Sequence, residues 1–361
     1  MEAFFELVQM AVGCRDSLDS APRSREEWET LFKVTGQHSL LGITFPVIDR
    51  LHDEMEIPLA VYSRWAMVAE KIAAKNKYQK EAGIRLRSLF AEAGFRTCLL
   101  KGQAAAALYP EPSLRQSGDV DVWVEGERDA ILDFLHGKQF PLGKTVYHHC
   151  DVKMFKGSGV EVHFTPSWMN APGANRRLQK WFASHADAQF GNYDETLGMS
   201  VPTIAFDAVY MLIHIYRHVL EEGVGLRQLL DYYYVLQHLP QEDRSGVVSD
   251  IRHLRLGGFA AAVMYVLQQA FKLEDGCLLF TPDPREGGFL LDEIMRSGNF
   301  GRYDSRNAHD KGEGLVAHGR RKFGRGVRFF LHYPSEVFWM PLFMIWQYFW
   351  RRRHNYLYKG R

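Results

Sequence analysis

The chain has 361 residues and a nearly balanced charge, with 44 Lys and Arg against 43 Asp and Glu. At this length two or three packed units are expected, and the charge balance gives no reason to expect a general nucleic-acid binder. The four cysteines, Cys14, Cys98, Cys150 and Cys277, lie far apart and form no CxxC pair. This spacing favours free thiols in a reducing cytosol over a disulfide framework.

The beginning of the chain carries early acids, Glu2 and Glu6, and no cationic segment. This pattern predicts an amphipathic helix and not a signal peptide. No uninterrupted apolar run approaches the ~20 residues that a membrane-spanning helix needs. Together with the cysteines, these features predict a cytoplasmic protein without a transmembrane segment.

Residues 1–95 have the pattern of an N-terminal helical region. Ser24 precedes acids and then Trp28, which resembles a capped helix start. From 62 to 93, a long run rich in Ala, Lys, Glu and Arg predicts a helix with one buried stripe.

Residues 96–200 change to a compact α/β core within an α+β fold. Short apolar runs separated by Gly and Pro predict alternating strands and helices. Residues 156–159 predict a hairpin turn. The predicted strands cover 97–100, 119–124, 146–155 and 160–164, and the predicted helices cover 102–109 and 127–136.

After Pro202 the pattern becomes helical again, which predicts a helical domain over 201–315. Helices are predicted over 204–220, 226–236 and 258–271, whereas 281–314 is rich in Gly, Pro, Asp and Asn and predicts loops. A basic, aromatic C-terminal segment covers 316–361. The fold class is therefore α+β, with a small mixed sheet flanked by helical regions.

The motif Gly118-Asp119-Val120-Asp121 places two carboxylates two residues apart on a predicted strand. Alternate strand residues share one face, so both side chains project together. Glu161 lies on a strand that could pair beside them and would be a third carboxylate. Mg²⁺ prefers hard oxygen ligands and is commonly held by carboxylates and substrate phosphates, so these acids are candidate metal ligands.

A candidate phosphate site precedes the acidic motif. Lys101 and Gly102 open a predicted helix directly after a strand, where backbone N–H groups favour a phosphate and Lys101 adds a cation. Arg115 could reach the same phosphates, and Gly118 would allow backbone and phosphate to approach closely.

The order of these motifs resembles the polymerase-beta-like nucleotidyltransferase superfamily, and more narrowly its uncharacterised bacterial family of stand-alone proteins. The resemblance rests on Leu100-Lys101-Gly102, Leu108-Tyr109-Pro110, Arg115, Gly118-Asp119-Val120-Asp121-Val122 and Val160-Glu161-Val162-His163. It covers roughly 20–310, with the helices around His214, His218 and Asp231 as the helical partner of the core.

The resemblance implies a small mixed sheet, one or two Mg²⁺ ions at Asp119, Asp121 and Glu161, and a nucleoside triphosphate as donor. The two aspartates would hold both metals and Glu161 the catalytic one. Many superfamily members begin the phosphate-binding helix with Gly-Ser, whereas this chain has Lys101-Gly102. The serine contact to phosphate is therefore missing.

Several histidines allow more than one interpretation. His163 would share a strand face with Glu161, and could bind a phosphate or be a half-buried, hydrogen-bonded residue. His148 and His149 with Cys150 and His163 could indicate zinc. Adjacent strand residues point to opposite faces, however, and the spacing matches no structural zinc pattern, so zinc is not favoured.

Other pairs at helical spacing favour structural roles. His214 and His218 share a helix face without the Glu of an HExxH motif, which favours helix packing or a cleft lining. Arg227 and Asp231 have the same spacing and predict an ion pair. For the basic tail, contact with RNA or an anionic membrane is an alternative, but a helix packed on the protein with a solvated basic end is favoured.

The sequence therefore predicts a nucleotidyltransferase that transfers a nucleoside monophosphate to an acceptor hydroxyl and releases pyrophosphate. Its catalytic and metal residues would be Asp119, Asp121 and Glu161. Its nucleotide-binding residues would be Lys101, Gly102, Arg115, Gly118 and His163. The acceptor, whether small molecule, RNA or protein, is left open. The alternatives are a catalytically inactive binding protein with this fold and a toxin-like enzyme that modifies RNA or protein.

Overall fold

The computed structural model describes residues 1–304, 306, 324–354 and 356. The chain divides into two compact units, each assembled from separate segments. Unit 1 comprises Met1–Asn76, Leu108–Gln116 and His214–Phe323, and unit 2 comprises Lys77–Ala107, Ser117–Ile213 and Gly324–Arg361. The four-region division predicted from sequence stays a prediction.

Unit 1 is helical. Its helices are α1 (Glu2–Ala11), α2 (Arg25–Gln37), α3 (Leu41–Glu54), the first half of α4 (Leu59–Ala91), the end of α8 (Ile204–Glu221), α9 (Leu226–His238), α10 (Arg244–His253), α11 (Gly257–Phe271) and α12 (Pro284–Ser297). The helix α11 is apolar around most of its circumference, and such a helix is buried by its neighbours. It packs against α1, α9 and α12, with Val263, Val266 and Leu267 fully buried.

Unit 2 contains the sheet. Its strands are β1 (Thr97–Leu100), β2 (Val120–Val124), β3 (Leu142–Thr145), β4 (His149–Phe155), β5 (Ser158–His163) and the short pair β6 (Tyr193–Asp194) and β7 (Met199–Ser200). Its helices are the end of α4, α5 (Gly102–Ala106), α6 (Arg128–Gly137), α7 (Pro172–Gly191), the start of α8, α13 (residues 324–330) and α14 (Pro334–Arg353).

The main sheet has five strands in the order β1-β2-β5-β4-β3. Only the β2–β5 pair is parallel among these described strands, and the other neighbours are antiparallel. One face is apolar and packs on α4 and α6 through a core that includes Phe90, Val122, Ile131 and Val162. The predicted α+β fold, with a small mixed sheet flanked by helices, is confirmed.

The opposite face of the sheet is aromatic at one end of the strands and polar at the other. At one end, Trp123 is buried among Phe182, Phe190 and Phe206 from α7 and α8. At the other end, the same face carries acids and histidines. Because the aromatic end is buried, the polar part of this face is short, and the acids and histidines of neighbouring strands lie together on it.

Two sequence predictions about local structure are wrong. The segment 281–314 was expected to be loops, but Pro284–Ser297 is a helix whose first turn is capped by the Asp283 carboxylate. Pro at the first helical position and buried Leu290 and Ile294 outweigh its glycines. Residues 305 and 307–314 of that segment lie outside the described residues. The helix predicted over 102–109 ends at Ala106.

Among the helices that the structure describes, none combines the length and the apolar character required to cross a membrane. Within the predicted basic, aromatic segment, the C-terminal helix α14 runs from Pro334 to Arg353. Residues 316–323, 355 and 357–361 of the predicted basic segment lie outside the described part of the chain.

Candidate functional site

The parallel pairing of β2 with β5 brings two of the predicted acids together. Asp121 is the register partner of Glu161, and the next pair on the same face is Trp123 with His163. Neighbouring strands lie about 4.8 Å apart, so paired residues present their side chains side by side. The prediction that Glu161 lies on a strand beside the acidic motif is confirmed.

Asp119 lies one step before β2 and is exposed at the surface. A Cβ atom added to Gly159 on β5 would lie 2.5 Å from Oδ1 of Asp119. The carboxylate therefore covers Gly159, and the missing side chain makes room for it. Asp119, Asp121 and Glu161 consequently share one corner of the sheet.

Lys101 approaches the acids from the end of β1. Its Nζ lies 2.9 Å from Oδ1 of Asp121, so the lysine forms an ion pair with an acid of the motif. Both Lys101 and Gly102 have positive φ, at 51° and 44°, and the chain turns sharply there. The helix that follows has only five residues, so it has little dipole to offer a phosphate.

His163 links the two central acids and is almost fully buried. Its Nε2 lies 3.1 Å from Oδ1 of Asp121 and 3.3 Å from Oε2 of Glu161. Burial alone would lower the pKa of His163, but its hydrogen bonds to these carboxylates raise it above the usual value. The two carboxylates therefore stabilise the charged imidazolium relative to the neutral ring.

The ionisation of the acids follows from the same contacts. Burial would raise the pKa of Asp121, but the Lys101 ammonium and the His163 hydrogen bond lower it overall. For Glu161, too, burial opposes ionisation, and hydrogen bonding to His163 and the charge of His149 outweigh it. Both acids are held as carboxylates by neighbouring cations.

His149 extends the polar cluster onto β4. It is the register partner of His163, and its Nδ1 lies 3.8 Å from Oε2 of Glu161. His149, Glu161 and His163 each offer a ligand atom, and these atoms lie within 4.8 Å of one another, so the group could hold a metal ion. This possible ligand set differs from the three carboxylates predicted from sequence. Only Glu161 belongs to both sets.

The expectation that His148 and His149 point to opposite faces is wrong. The strand β4 begins at His149, and His148 lies in the preceding bend, where strand alternation does not apply. Nε2 of His148 lies 2.7 Å from Nδ1 of His149, and the His148 ring stacks on Trp168.

A buried glutamine on α4 fixes the loop that carries the acids. Nε2 of Gln79 donates to the backbone oxygen of Gly118 at 2.6 Å and contacts Oγ of Ser158 at 3.1 Å. One side chain thus ties the start of the acidic motif to the start of β5. Sequence inspection missed Gln79 because an isolated glutamine in a helix gives no signal of its partner.

Tyr210 on α8 is the second group that sequence inspection missed. It is fully buried, and burial together with the charge of Asp121 raises the pKa of its phenol. The phenol therefore stays protonated at neutral pH. In the sequence, Tyr210 is one of many aromatic residues on an amphipathic helix, and its proximity to Asp121 appears only in the fold.

Arg115 belongs to unit 1 and is 2% exposed. Its Nε and Nη2 atoms donate to the two carboxylate oxygens of Asp231, each at 2.6 Å, and the Tyr109 hydroxyl donates to Asp231 as well. The guanidinium that was expected to reach the phosphates is therefore held by Asp231. Asp231 was expected to pair with Arg227, which instead donates to the backbone oxygen of Gln116.

Comparison with known families gives a direct match. The family described as uncharacterised nucleotidyltransferase matches residues 24–272 of this chain. The chain belongs to this nucleotidyltransferase family. The resemblance to an uncharacterised nucleotidyltransferase family is thereby confirmed, and the matched region includes Lys101, Asp119, Asp121, Glu161 and His163.

Among solved structures, the chain is similar to an antigenic nucleotidyltransferase-like protein from Paracoccidioides brasiliensis. The two share 11% sequence identity, and the superposition covers 49% of this chain and 91% of that one with a TM-score of 0.30. No curated protein matches the chain.

Proposed function

We propose that this chain is a Mg²⁺-dependent nucleotidyltransferase that transfers a nucleoside monophosphate from a nucleoside triphosphate to an acceptor hydroxyl. The observation that carries the proposal is the side-by-side placement of Asp121 and Glu161 on β2 and β5, with Asp119 two residues before Asp121. Family membership supports nucleotidyl transfer in general, and these acids supply the finer proposal.

The residues present suit a hard divalent cation. Asp119, Asp121 and Glu161 would hold it, since carboxylate oxygens are the ligands that Mg²⁺ prefers and Gly159 leaves space for the Asp119 carboxylate. The lowered pKa values of Asp121 and Glu161 keep both groups ionised for this role. When bound, Mg²⁺ would neutralise phosphate charge and polarise the reacting phosphoryl group.

Lys101 is the cation that we assign to the triphosphate. It now neutralises Asp121 at 2.9 Å, and a divalent cation at the acids would take over that charge and leave the ammonium available for phosphate oxygens. Gly102 and Gly118 border the same corner, and buried His163 holds the two central carboxylates in place. Arg115 is left out because Asp231 occupies its guanidinium.

The proposed reaction is a displacement at the α-phosphorus of the nucleoside triphosphate. The oxygen of the acceptor hydroxyl forms a bond to the α-phosphorus, and the bond from that phosphorus to the bridging oxygen of the β-phosphate breaks. Pyrophosphate leaves and the hydroxyl proton is lost to water. The chain's own contribution is to position the triphosphate and to stabilise the charge that develops on its oxygens.

Calorimetric titration tests the binding half of the proposal. Non-hydrolysable analogues of the four nucleoside triphosphates would be titrated into the full chain with and without Mg²⁺. Binding should require Mg²⁺ and be lost in Asp121→Asn. Asp133→Asn is the matched control, because Asp133 is an exposed acid on α6, which packs on the opposite face of the sheet. Failure of every analogue to bind the wild-type chain would refute the proposal.

Pyrophosphate release, with cell extract as the source of acceptor, tests the catalytic half. An active enzyme should release pyrophosphate with at least one triphosphate, and Asp121→Asn should abolish the release while the chain stays folded. Mg²⁺-dependent binding without release from any extract would instead favour a catalytically inactive binding protein.

A further inference from the structure

The outward face of α14 carries an exposed apolar stripe. Phe338, Leu342, Ile345 and Phe349 are spaced by four, three and four residues, which places them on one side of the helix. Each is between 45% and 59% exposed. Contiguous exposed apolar surface of this kind marks an interaction site, because folded proteins rarely leave it in water.

The inward face of the same helix is anchored to unit 2. The Glu336 carboxylate accepts the backbone N–H groups of Asn170 and Ala171, and the Phe343 ring contacts that of Tyr147. Farther along, the Arg128 guanidinium lies 4.8 Å from the centre of the Trp350 ring. The helix is therefore fixed to the protein along its length, and the stripe is presented outward.

Positive charge continues the stripe at its C-terminal end. Arg352 follows Phe349 by three residues, so it lies on the same side of the helix, and both Arg352 and Arg353 are exposed. Residues 337–354 contain no Asp or Glu. A complementary partner must therefore combine an apolar layer with negative charge.

We propose that this face of α14 binds the surface of an anionic lipid bilayer. The four stripe residues would enter the boundary between headgroups and acyl chains, and Arg352 and Arg353 would bind lipid phosphates. A second copy of the chain fits less well, because residues 337–354 offer no acid to pair with Arg352 and Arg353 of the other copy. Single-stranded RNA fits less well too, because the cations are at one end and the stripe includes aliphatic Leu342 and Ile345.

Vesicle flotation of the full chain tests the proposal, with phosphatidylcholine vesicles that contain or lack phosphatidylglycerol. Wild-type protein should float with the anionic vesicles and much less with the neutral ones. The double variant Ile345→Glu, Phe349→Glu should bind at least about 100-fold more weakly, because two buried apolar contacts are replaced by charges that repel the surface. Arg352→Ala, Arg353→Ala should weaken binding about 30-fold.

Leu59→Glu, Met67→Glu is the matched control, since these exposed apolar residues belong to unit 1 and receive the same two charges without changing α14. It should bind like the wild type. Circular dichroism and thermal unfolding would show that each variant folds. Quenching of tryptophan fluorescence by brominated lipids in the wild-type chain is a second measurement that needs no variant.

Three results would overturn the proposal. The first is wild-type protein that neither floats with anionic vesicles nor is quenched by brominated lipid. The second is equal flotation of the wild type and the Ile345→Glu, Phe349→Glu variant. The third is a dimer or an RNA complex that this double variant disrupts, in the absence of any vesicle binding.

Discussion

Two buried clusters of charge, one in each unit, contrast in how their groups are paired. In the arginine cluster of unit 1, the Asp231 carboxylate receives two bonds from Arg115 and one from the Tyr109 hydroxyl, and all three residues are buried. In the strand cluster of unit 2, Lys101, Asp121, Glu161 and His163 share contacts, and Glu161 is partly exposed.

The difference agrees with a structural role for the arginine cluster and with the metal-binding role that we propose for the strand cluster. The arginine cluster matches one acid to one rigid bidentate donor, so a ligand would have to break strong buried bonds to enter. In the strand cluster, His163 contacts both Asp121 and Glu161, and exposed Asp119 lies beside them. This exposure is what the proposed function requires and what the arginine cluster lacks.

The largest expected effect concerns the arginine cluster. Arg115→Met should lower the free energy of unfolding by about 3–5 kcal/mol, because it leaves the buried Asp231 carboxylate without its cation. Chemical denaturation measures the loss. Arg96→Met is the control, since the Arg96–Glu125 pair is exposed and should change stability by less than about 1 kcal/mol. Equal effects of the two variants would show that the arginine cluster is not structural.

Buried His38 of unit 1 should make the stability of the protein depend on pH. Burial lowers the pKa of His38 from 6.5 to about 4, and its Nδ1 accepts the backbone N–H of Leu226. The unfolded chain therefore takes up this proton first as pH falls, so stability is complete above pH 6.5 and declines towards pH 4. The loss reaches at most about 3 kcal/mol.

His38→Asn tests this assignment, because the amide oxygen can accept the same N–H but does not titrate. Denaturant unfolding of both proteins between pH 7 and pH 4 should show a smaller decline for His38→Asn. Parallel pH profiles would contradict the role of His38.

For the strand cluster, the expected effect is on function and not on folding. Asp119→Asn should reduce Mg²⁺-dependent turnover by about 100-fold, as loss of a metal ligand would, and change the free energy of unfolding by less than about 0.5 kcal/mol. Pyrophosphate release and chemical denaturation measure the two quantities. A large loss of stability with unchanged turnover would indicate that Asp119 has a structural role and no role in metal binding.

The smallest expected effect tests the space beside Asp119. In Gly159→Ala, the new methyl group would meet the Asp119 carboxylate, which must rotate away. Because the side chain can move, the fold should be retained while Mg²⁺-dependent affinity for a triphosphate analogue falls about tenfold, a free-energy change of about 1.4 kcal/mol. Calorimetry measures the change. Unaltered affinity would exclude Asp119 from the metal site.

Sequence patterns predicted much of unit 2. The strands β1, β2, β4 and β5, the hairpin before Glu161 and the shared face of Asp119 and Asp121 follow from local periodicity, which depends on residues close together in the chain. The strands β3, β6 and β7 were not predicted. The predicted helix boundaries differ from the observed ones where tertiary packing determines them. The helix after Lys101 is shorter than its alanine-rich sequence predicts, and α12 forms despite its glycines because buried Leu290 and Ile294 stabilise it.

What the sequence by itself determined is the family: the order of Lys101-Gly102, Gly118-Asp119-Val120-Asp121 and Glu161 identified it. What only the tertiary structure decided is the set of partners. Arg115 and Lys101 are both cations close to the acidic motif in sequence, yet one is bound to Asp231 and the other to Asp121. Side-chain pairing of this kind depends on contacts between residues distant in the chain, and local patterns carry no information about them.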